Sequence, residues 1–288
     1  MSKRKNPVFL FLAVLVGLNA LAWAAVYELR SGGLEVVFFD VGQGDATLIE
    51  TPQGHHILID GGRDSTILEK LGKEMPYWKR SVDLIILTHP HYDHMAGFIE
   101  VLKRYKVKNI LWTGVLSRDV TFKEWQKLIA KEEGKVYIAK TGLQVKSGKA
   151  VLKVFYPFES FENQEVEEIN DTSVVAKLIF GHNTFLWTGD AFKDLELDLV
   201  RKGIDVDSDV LQAGHHGSRT SSAPEFIEAV SPEIFVVSSG RNNVHGHPHS
   251  ETLETLAKYD IKVLRTDELG DVKIISDGLG LVVKFSKI

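Results

Sequence analysis

Residues 88–94 read Thr-His-Pro-His-Tyr-Asp-His and follow directly on the largely apolar run at 82–87. Three imidazoles and a carboxylate within six residues are hard to seat in an ordinary core, because buried polar groups need partners and imidazolium charges repel one another. A bound metal meets both demands. The run before them has the length and β-branched content of a buried strand, which puts the cluster in the loop at that strand's carboxyl end, a common position for active sites in α/β folds. His89 and His91, two apart, can face one side of an extended segment, while Asp93 and His94 come from the turn that follows and aim elsewhere. That geometry suits two adjacent cations better than one. The competing reading, a polar loop that merely caps a strand, accounts for a lone histidine better than for this pattern.

The 288 residues suffice for one large domain or two small ones, and a chain that is 44% apolar and 25% charged has the composition of a globular protein. It contains no cysteine, which excludes thiolate metal sites, disulfides and a cysteine nucleophile and leaves nitrogen and oxygen ligands. Residues 7–26 are apolar apart from Gly17 and Asn19 and follow the basic Lys3, Arg4 and Lys5. Such a stretch, at about 1.5 Å per residue, spans a hydrocarbon core of about 30 Å with the basic flank inside. The expectation is a signal anchor over residues 1–30 that holds residues 31–288 outside the cell membrane in a single-pass arrangement. The alternative is a signal peptide, cleaved at Ala20-Leu21-Ala22 or Ala22-Trp23-Ala24, which would leave a secreted protein. The formal charge is −5, or −8 without the three basic residues, unlike a protein that grips nucleic acid mainly through phosphate neutralisation.

Residues 34–40 read as a strand, 41–44 as a tight turn rich in glycine, and 45–51 with 56–60 as a hairpin. Asp40, Asp45 and Asp60 fall at strand ends, where aspartates commonly cap turns. Helices are expected over 65–75, 95–105 and 122–132, and strands over 109–112, 135–139 and 151–156. The acidic stretch 158–169 is a surface loop. Asn170-Asp171-Thr172-Ser173 then leads into a hairpin, 174–180 and 184–190, whose second strand ends in Thr-Gly-Asp. Asp190 there can bridge two cations about 3.5–4 Å apart, or cap a helix over 191–202. A strand at 209–213 runs into Gly214-His215-His216-Gly217-Ser218, repeating the pattern of the first cluster. After a strand at 233–239, the loop 240–249 carries Arg241, His245, His247 and His249 ahead of a helix over 250–259, a combination suited to phosphate or to a mere polar connector. A last hairpin, 271–276 and 281–285, ends the chain.

The H-x-H-x-D-H pattern resembles the signature of the metallo-β-lactamase superfamily. Read with Asp-Val-Gly-Gln-Gly-Asp-Ala at 40–46, Asn-Asp-Thr-Ser, Thr-Gly-Asp, Gly-His-His-Gly-Ser and Gly-His-Pro-His, it is similar to the metallohydrolase domain of the ComEC competence family, from about residue 34 onward. The resemblance implies a four-layer αββα sandwich, here preceded by one hydrophobic helix, with a metal site at one edge. With no multispan region in the sequence, the chain reads as a free-standing relative of that outer enzymatic domain.

The resemblance also implies roles. His89, His91 and Asp190 would hold one cation, and Asp93, His94, Asp190 and His216 the other, with Zn2+ and Mn2+ both suited to imidazole and carboxylate. His216 lies 26 residues after Asp190, a spacing similar to that of the superfamily's choline-phosphate esterases, although His215 and His216 could exchange roles. Asp60 is expected to steady His94, and Asp45, Asn170, Asp171, Ser218, Arg219 and Arg241 to support the site or the substrate. Many members place a histidine where this chain has Asn170 and Asp171. Catalytic roles fall to Asp93, His215 and His247. The reading is a binuclear phosphodiesterase whose substrate is a phosphodiester such as DNA; the alternatives are a phosphoester hydrolase acting on an envelope component, a β-lactamase, and a catalytically silent binding module.

Overall fold

The computed structural model describes residues 7–30, with the side chains of 7–22, and residues 33–287. Helix α1 (Pro7–Arg30) precedes the sheets. Among the described residues no helix is long and apolar enough to cross a membrane. That finding overturns the expected single-pass anchor and the placement outside the membrane built on it. Lys3, Arg4 and Lys5 lie outside the described residues.

Strands β1 (Leu34–Phe38), β2 (Thr47–Glu50), β3 (His56–Ile59), β4 (Ser81–Val82), β5 (Leu84–Ile86), β6 (Lys106–Val107), β7 (Asn109–Trp112) and β8 (Lys135–Ile138) alternate with helices α2 (Thr66–Glu74), α3 (Tyr92–Arg104) and α4 (Phe122–Lys131). There follow β9 (Gln144–Ser147), β10 (Ala150–Tyr156), β11 (Val175–Phe180), β12 (Asn183–Trp187), β13 (Val210–Gln212), β14 (Ile234–Val237), β15 (Lys262–Arg265), β16 (Val272–Ser276) and β17 (Leu281–Phe285), with α5 (Lys193–Arg201), α6 (Pro224–Val230), α7 (Ser250–Lys258) and α8 (Thr266–Leu269). One sheet has the order β17-β16-β1-β2-β3-β5-β7-β8 and the other β15-β14-β13-β12-β11-β10-β9.

Alternation along single strands shows how the layers form. On β3, Ile57 and Ile59 enter the core between the sheets while Leu58 packs beneath α2 and α3; on β14, Ile234 and Val236 face the same inter-sheet core while Phe235 and Val237 pack against α6 and its neighbours. Strands buried on both faces read as continuous apolar runs, as parallel strands covered by helices do. The result is helix, sheet, sheet, helix. Strands β3, β5 and β7 run parallel in one sheet, and β12, β13 and β14 in the other, and their carboxyl ends meet at one edge.

Two elements start differently from expectation. The run at 82–87 is broken at Asp83 into β4 and β5, because the Asp83 carboxylate accepts the His56 amide at 2.8 Å. Helix α3 begins at Tyr92, with extended His91 before it, so Asp93 and His94 occupy its first turn. Two glycines permit the close approach of this turn to its neighbours: a Cβ on Gly44 would overlap the carbonyl oxygen of Asp93, and one on Gly97 that of Gly61.

Candidate metal centre

Asp60 follows β3, His89 follows β5, Asp190 follows β12, and His215 and His216 follow β13, so four separate stretches of sequence deliver their polar groups to one edge. Each buried imidazole is anchored on its outer side. Asp60 takes the Thr88 amide at 2.8 Å and the Thr88 hydroxyl at 2.7 Å, and its second oxygen lies 2.9 Å from His94 Nδ1. His216 Nδ1 lies 3.1 Å from Asp45 Oδ1 and 3.0 Å from the Ser238 carbonyl. His89 Nδ1 sits 3.1 Å from the Thr88 hydroxyl and 3.3 Å from that of Ser173. With the Thr88 proton given to Asp60, a neutral His89 donates from Nδ1. Ligating histidines are commonly oriented through the ring nitrogen that faces away from the metal.

The opposite nitrogens point inward and have no hydrogen-bond partner. His89 Nε2, His94 Nε2, His216 Nε2 and Asp190 Oδ1 are all buried and unsatisfied among the described residues, an arrangement that costs free energy for each group left so. They converge on Asp190. His94 Nε2 is 3.3 Å from its Oδ1, and the Nε2 atoms of His89 and His216 are 3.7 and 3.8 Å from its Oδ2. Asp93 Oδ2 lies 3.3 Å from His216 Nε2. Donor atoms of Asp45, His94, Asp190 and His216 fall within 4.8 Å of one another. Bare, inward-facing nitrogen and oxygen donors around a carboxylate fit a divalent cation.

The electrostatics carry the same message. Burial disfavours charge on Asp190, yet His94, His216 and His89 hold its carboxyl well below the usual range. Burial likewise opposes protonation of His94 and His216, but Asp190 with Asp60 raises the first, and Asp190 with Asp45 the second, well above an ordinary imidazole. His89 is depressed by burial and by the charge on His94. Without a cation, protons on His94 and His216 supply the positive charge.

The remaining expected residues divide. His91 lies beside His89, ring centroids 4.8 Å apart, at the more open side. His215, with Nδ1 2.9 Å from the Thr220 hydroxyl, brings Nε2 to 3.8 Å from Asp190 and forms the rim. Both His215 and His216 have left-handed backbone, φ 48° and 55°, sparse territory for side chains with a Cβ, which turns the two rings to different depths. His247 is buried 5.6 Å from the His215 ring. Asp171 does not reach the donors. Its carboxylate accepts the Phe192 amide at 3.2 Å at the entry to α5, while Asn170 is buried with Oδ1 unpartnered. Ser218 is tied up within its loop by Thr220. Arg219 and Arg241 are exposed.

Two contributors escape a reading of sequence. Ser173 accepts the Asp190 amide at 3.0 Å while facing His89. Gln43 accepts the Gly240 amide and places Nε2 3.5 Å from His247 Nδ1. The glycine-rich setting of Gln43 marks the turn, but nothing marks its target.

The fold and the donor set define a member of the metallo-beta-lactamase superfamily, and the chain belongs to it: the family model matches residues 39–241. Among curated proteins it is 32% identical over 268 residues to ComE operon protein 3 of Bacillus subtilis (strain 168), covering 86% of this chain and 34% of that protein. It is 31% identical over 249 residues to competence protein ComA of Neisseria gonorrhoeae, covering 85% and 32%. Both are ComEC-family competence proteins, and the chain spans about a third of their length. The crystal structure of the metallo-beta-lactamase fold protein YhfI from Bacillus subtilis shares the fold, with a TM-score of 0.57 and 16% identity over 84% of this chain and 99% of that one.

Proposed function

We propose that this superfamily member is a binuclear metal-dependent phosphodiesterase whose substrate is a polynucleotide. The observation that carries the reading is the set of three buried, unpartnered imidazole nitrogens aimed at Asp190 beneath a rim of further imidazoles. His94, Asp93, Asp190 and His216 would hold one cation, and His89, His91 and Asp190 the other. When bound, a pair of divalent cations supplies a water-derived nucleophile at neutral pH and offsets negative charge on the phosphoryl oxygens.

The chain's own residues supply the rest. Burial, then the charges of His216 and His215, press the His247 imidazole down to about 4, so it is neutral at physiological pH. Gln43 Nε2 can only donate, so a neutral His247 carries its proton on Nε2, from which it can donate a hydrogen bond to a departing oxygen. His215 offers Nε2 from the rim, and Arg219 and Arg241 add exposed positive charge. Phosphorus, with several anionic oxygens to satisfy, suits this crowd of donors better than a lactam carbonyl does. The resemblance to competence proteins makes DNA the polymer to test first.

The experiment is turnover of bis-p-nitrophenyl phosphate, single-stranded DNA and nitrocefin by the full chain, before and after chelation and with Zn2+ or Mn2+ restored. Hydrolysis of the first two, lost on chelation, is expected. Turnover of nitrocefin alone, or none with either metal, overturns the reading.

A further inference from the structure

The acidic net charge conceals a basic region. Between Lys103 and Lys153 the chain carries thirteen Lys and Arg against four Asp and Glu, a surplus of nine in a chain whose formal charge is −5. Some of these cations are spent locally, Lys106 on Glu133 and Lys108 on Asp83. Among the described residues, no ion pair engages Lys135, Lys140, Lys146 or Lys149, and all four are exposed on β8, β9 and the turns beside them.

That edge also opens. β8 and β9 are the last strands of their respective sheets, and between them the sheets part around a cavity of about 540 Å³, within the usual range for small-ligand sites. Its walls are the apolar side chains of Ile57, Leu84, Leu111, Leu143 and Val145; Tyr137, 42% exposed, stands at its side, and Lys108 and Lys146 lie at its margin. Tyr137 pairs with Leu111 and Lys135 with Asn109 across β7 and β8, so the tyrosine and Lys135 project from the same face of the strand. Asn109 and Gln144 add amides that can read a polar edge. The cavity lies at the amino ends of β3, β5 and β7, the opposite end of these strands from the metal centre.

We propose that this cleft is a second nucleic-acid site, which stacks a base of single-stranded DNA or RNA on Tyr137 while Lys135, Lys140, Lys146 and Lys149 track the flanking phosphates. An aromatic side chain interleaved with unpaired cations is the recurrent platform for single strands. Bases stacked within a duplex do not expose a face to an aromatic side chain, so the site favours single strands. The site's position away from the metal centre assigns it a neighbouring stretch of the polymer rather than the scissile bond. The inference shares with the proposed function only its substrate class.

The test is fluorescence anisotropy of a labelled single-stranded oligonucleotide with the full chain in chelator, across a range of salt, so that no turnover is needed. Lys135→Glu/Lys146→Glu is expected to bind at least about tenfold more weakly, with a salt slope shallower by about 1.4 for two lost phosphate contacts. Tyr137→Ala is expected to lose about tenfold, the effect of one stacked base, with its slope unchanged. Both should keep the wild-type melting temperature and bis-p-nitrophenyl phosphate turnover. Should the double variant not fold, the exposed single change Lys146→Ala serves in its place. Wild-type affinity in the lysine and tyrosine variants overturns the proposal; so does unchanged oligonucleotide binding alongside lost binding to anionic vesicles, which would assign the patch to a lipid surface. Absence of any turnover by the wild type would sink the hydrolase reading and leave this site standing.

Discussion

Asp190 Oδ1 lies 3.3 Å from His94 Nε2, although the aspartate ends a strand of one sheet and the histidine opens a helix covering the other. The centre therefore straddles the sandwich, and its integrity depends on how the two sheets are locked at this edge. Thr47 donates to Gln212 at 3.1 Å and the Val174 amide to the Thr88 carbonyl at 2.9 Å, each joining one sheet's edge to the other's. Asp190→Asn keeps the shape and removes the charge. Its metal content by elemental analysis is expected to fall, with phosphodiester turnover down at least about a hundredfold. Wild-type metal content in that variant would contradict the assignment.

Asp60 and Asp45 perform matching tasks on His94 and His216, but not with equal reserves. His216 Nδ1 also faces the Ser238 carbonyl, whereas Asp60 alone holds His94 and carries both polar groups of Thr88 besides. Asp60→Asn is expected to weaken metal binding by about 10–100-fold and to lower the melting temperature, and Asp45→Asn to do less of both. Chelator competition and thermal melts on the two variants check the order.

How far the sequence discloses this depends on what each signal is made of. Strands ending at Ile59, Ile86 and Trp187 are legible because apolar runs of that length have few other uses, and the polar residues just past them are then placed almost for free. The start of α3 is not, since Tyr92, Asp93 and His94 are indifferent helix formers and it is the packing of Gly97 on Gly61 that draws the helix in. β9 and β15 are short, partly charged edge strands, Gln144–Ser147 and Lys262–Arg265, without an alternation to betray them. Ser173 and Gln43 act through geometry that their residue types do not announce. Net charge, summed over the whole chain, hides the basic edge because acidic residues elsewhere outnumber it.

Metal binding should release protons. Without a cation, Asp190, aided by Asp60 for His94 and by Asp45 for His216, outweighs burial and keeps both imidazoles charged well above their ordinary range. A ligating nitrogen must give up its proton, so loading at pH 7 is expected to expel one from each of His94 and His216 and to grow tighter as pH rises. Calorimetric titration in buffers of different ionisation enthalpy reads the number directly. A heat of binding independent of buffer would show that neither ring is charged beforehand.

Glu196, buried on α5, holds the loop that carries His215 and His216 from behind: its two oxygens accept the Ser222 and Ala223 amides, each at 2.8 Å. Burial pushes its carboxyl up to about 7, against the pull of those amides. The folded state thus binds this proton more tightly than the unfolded chain, whose ordinary value is near 4.5. The stability it contributes is complete below pH 4.5 or so and is withdrawn as pH rises through 7, at about 1.4 kcal/mol per pH unit, or about 3 kcal/mol over the window. Glu196→Gln cannot ionise. Other titrating groups are common to both proteins, so the difference between their melting temperatures from about pH 5 to pH 8 isolates this one. The wild type is expected to lose ground steadily to the variant across that range, and parallel curves would show that the amides keep Glu196 ionised throughout.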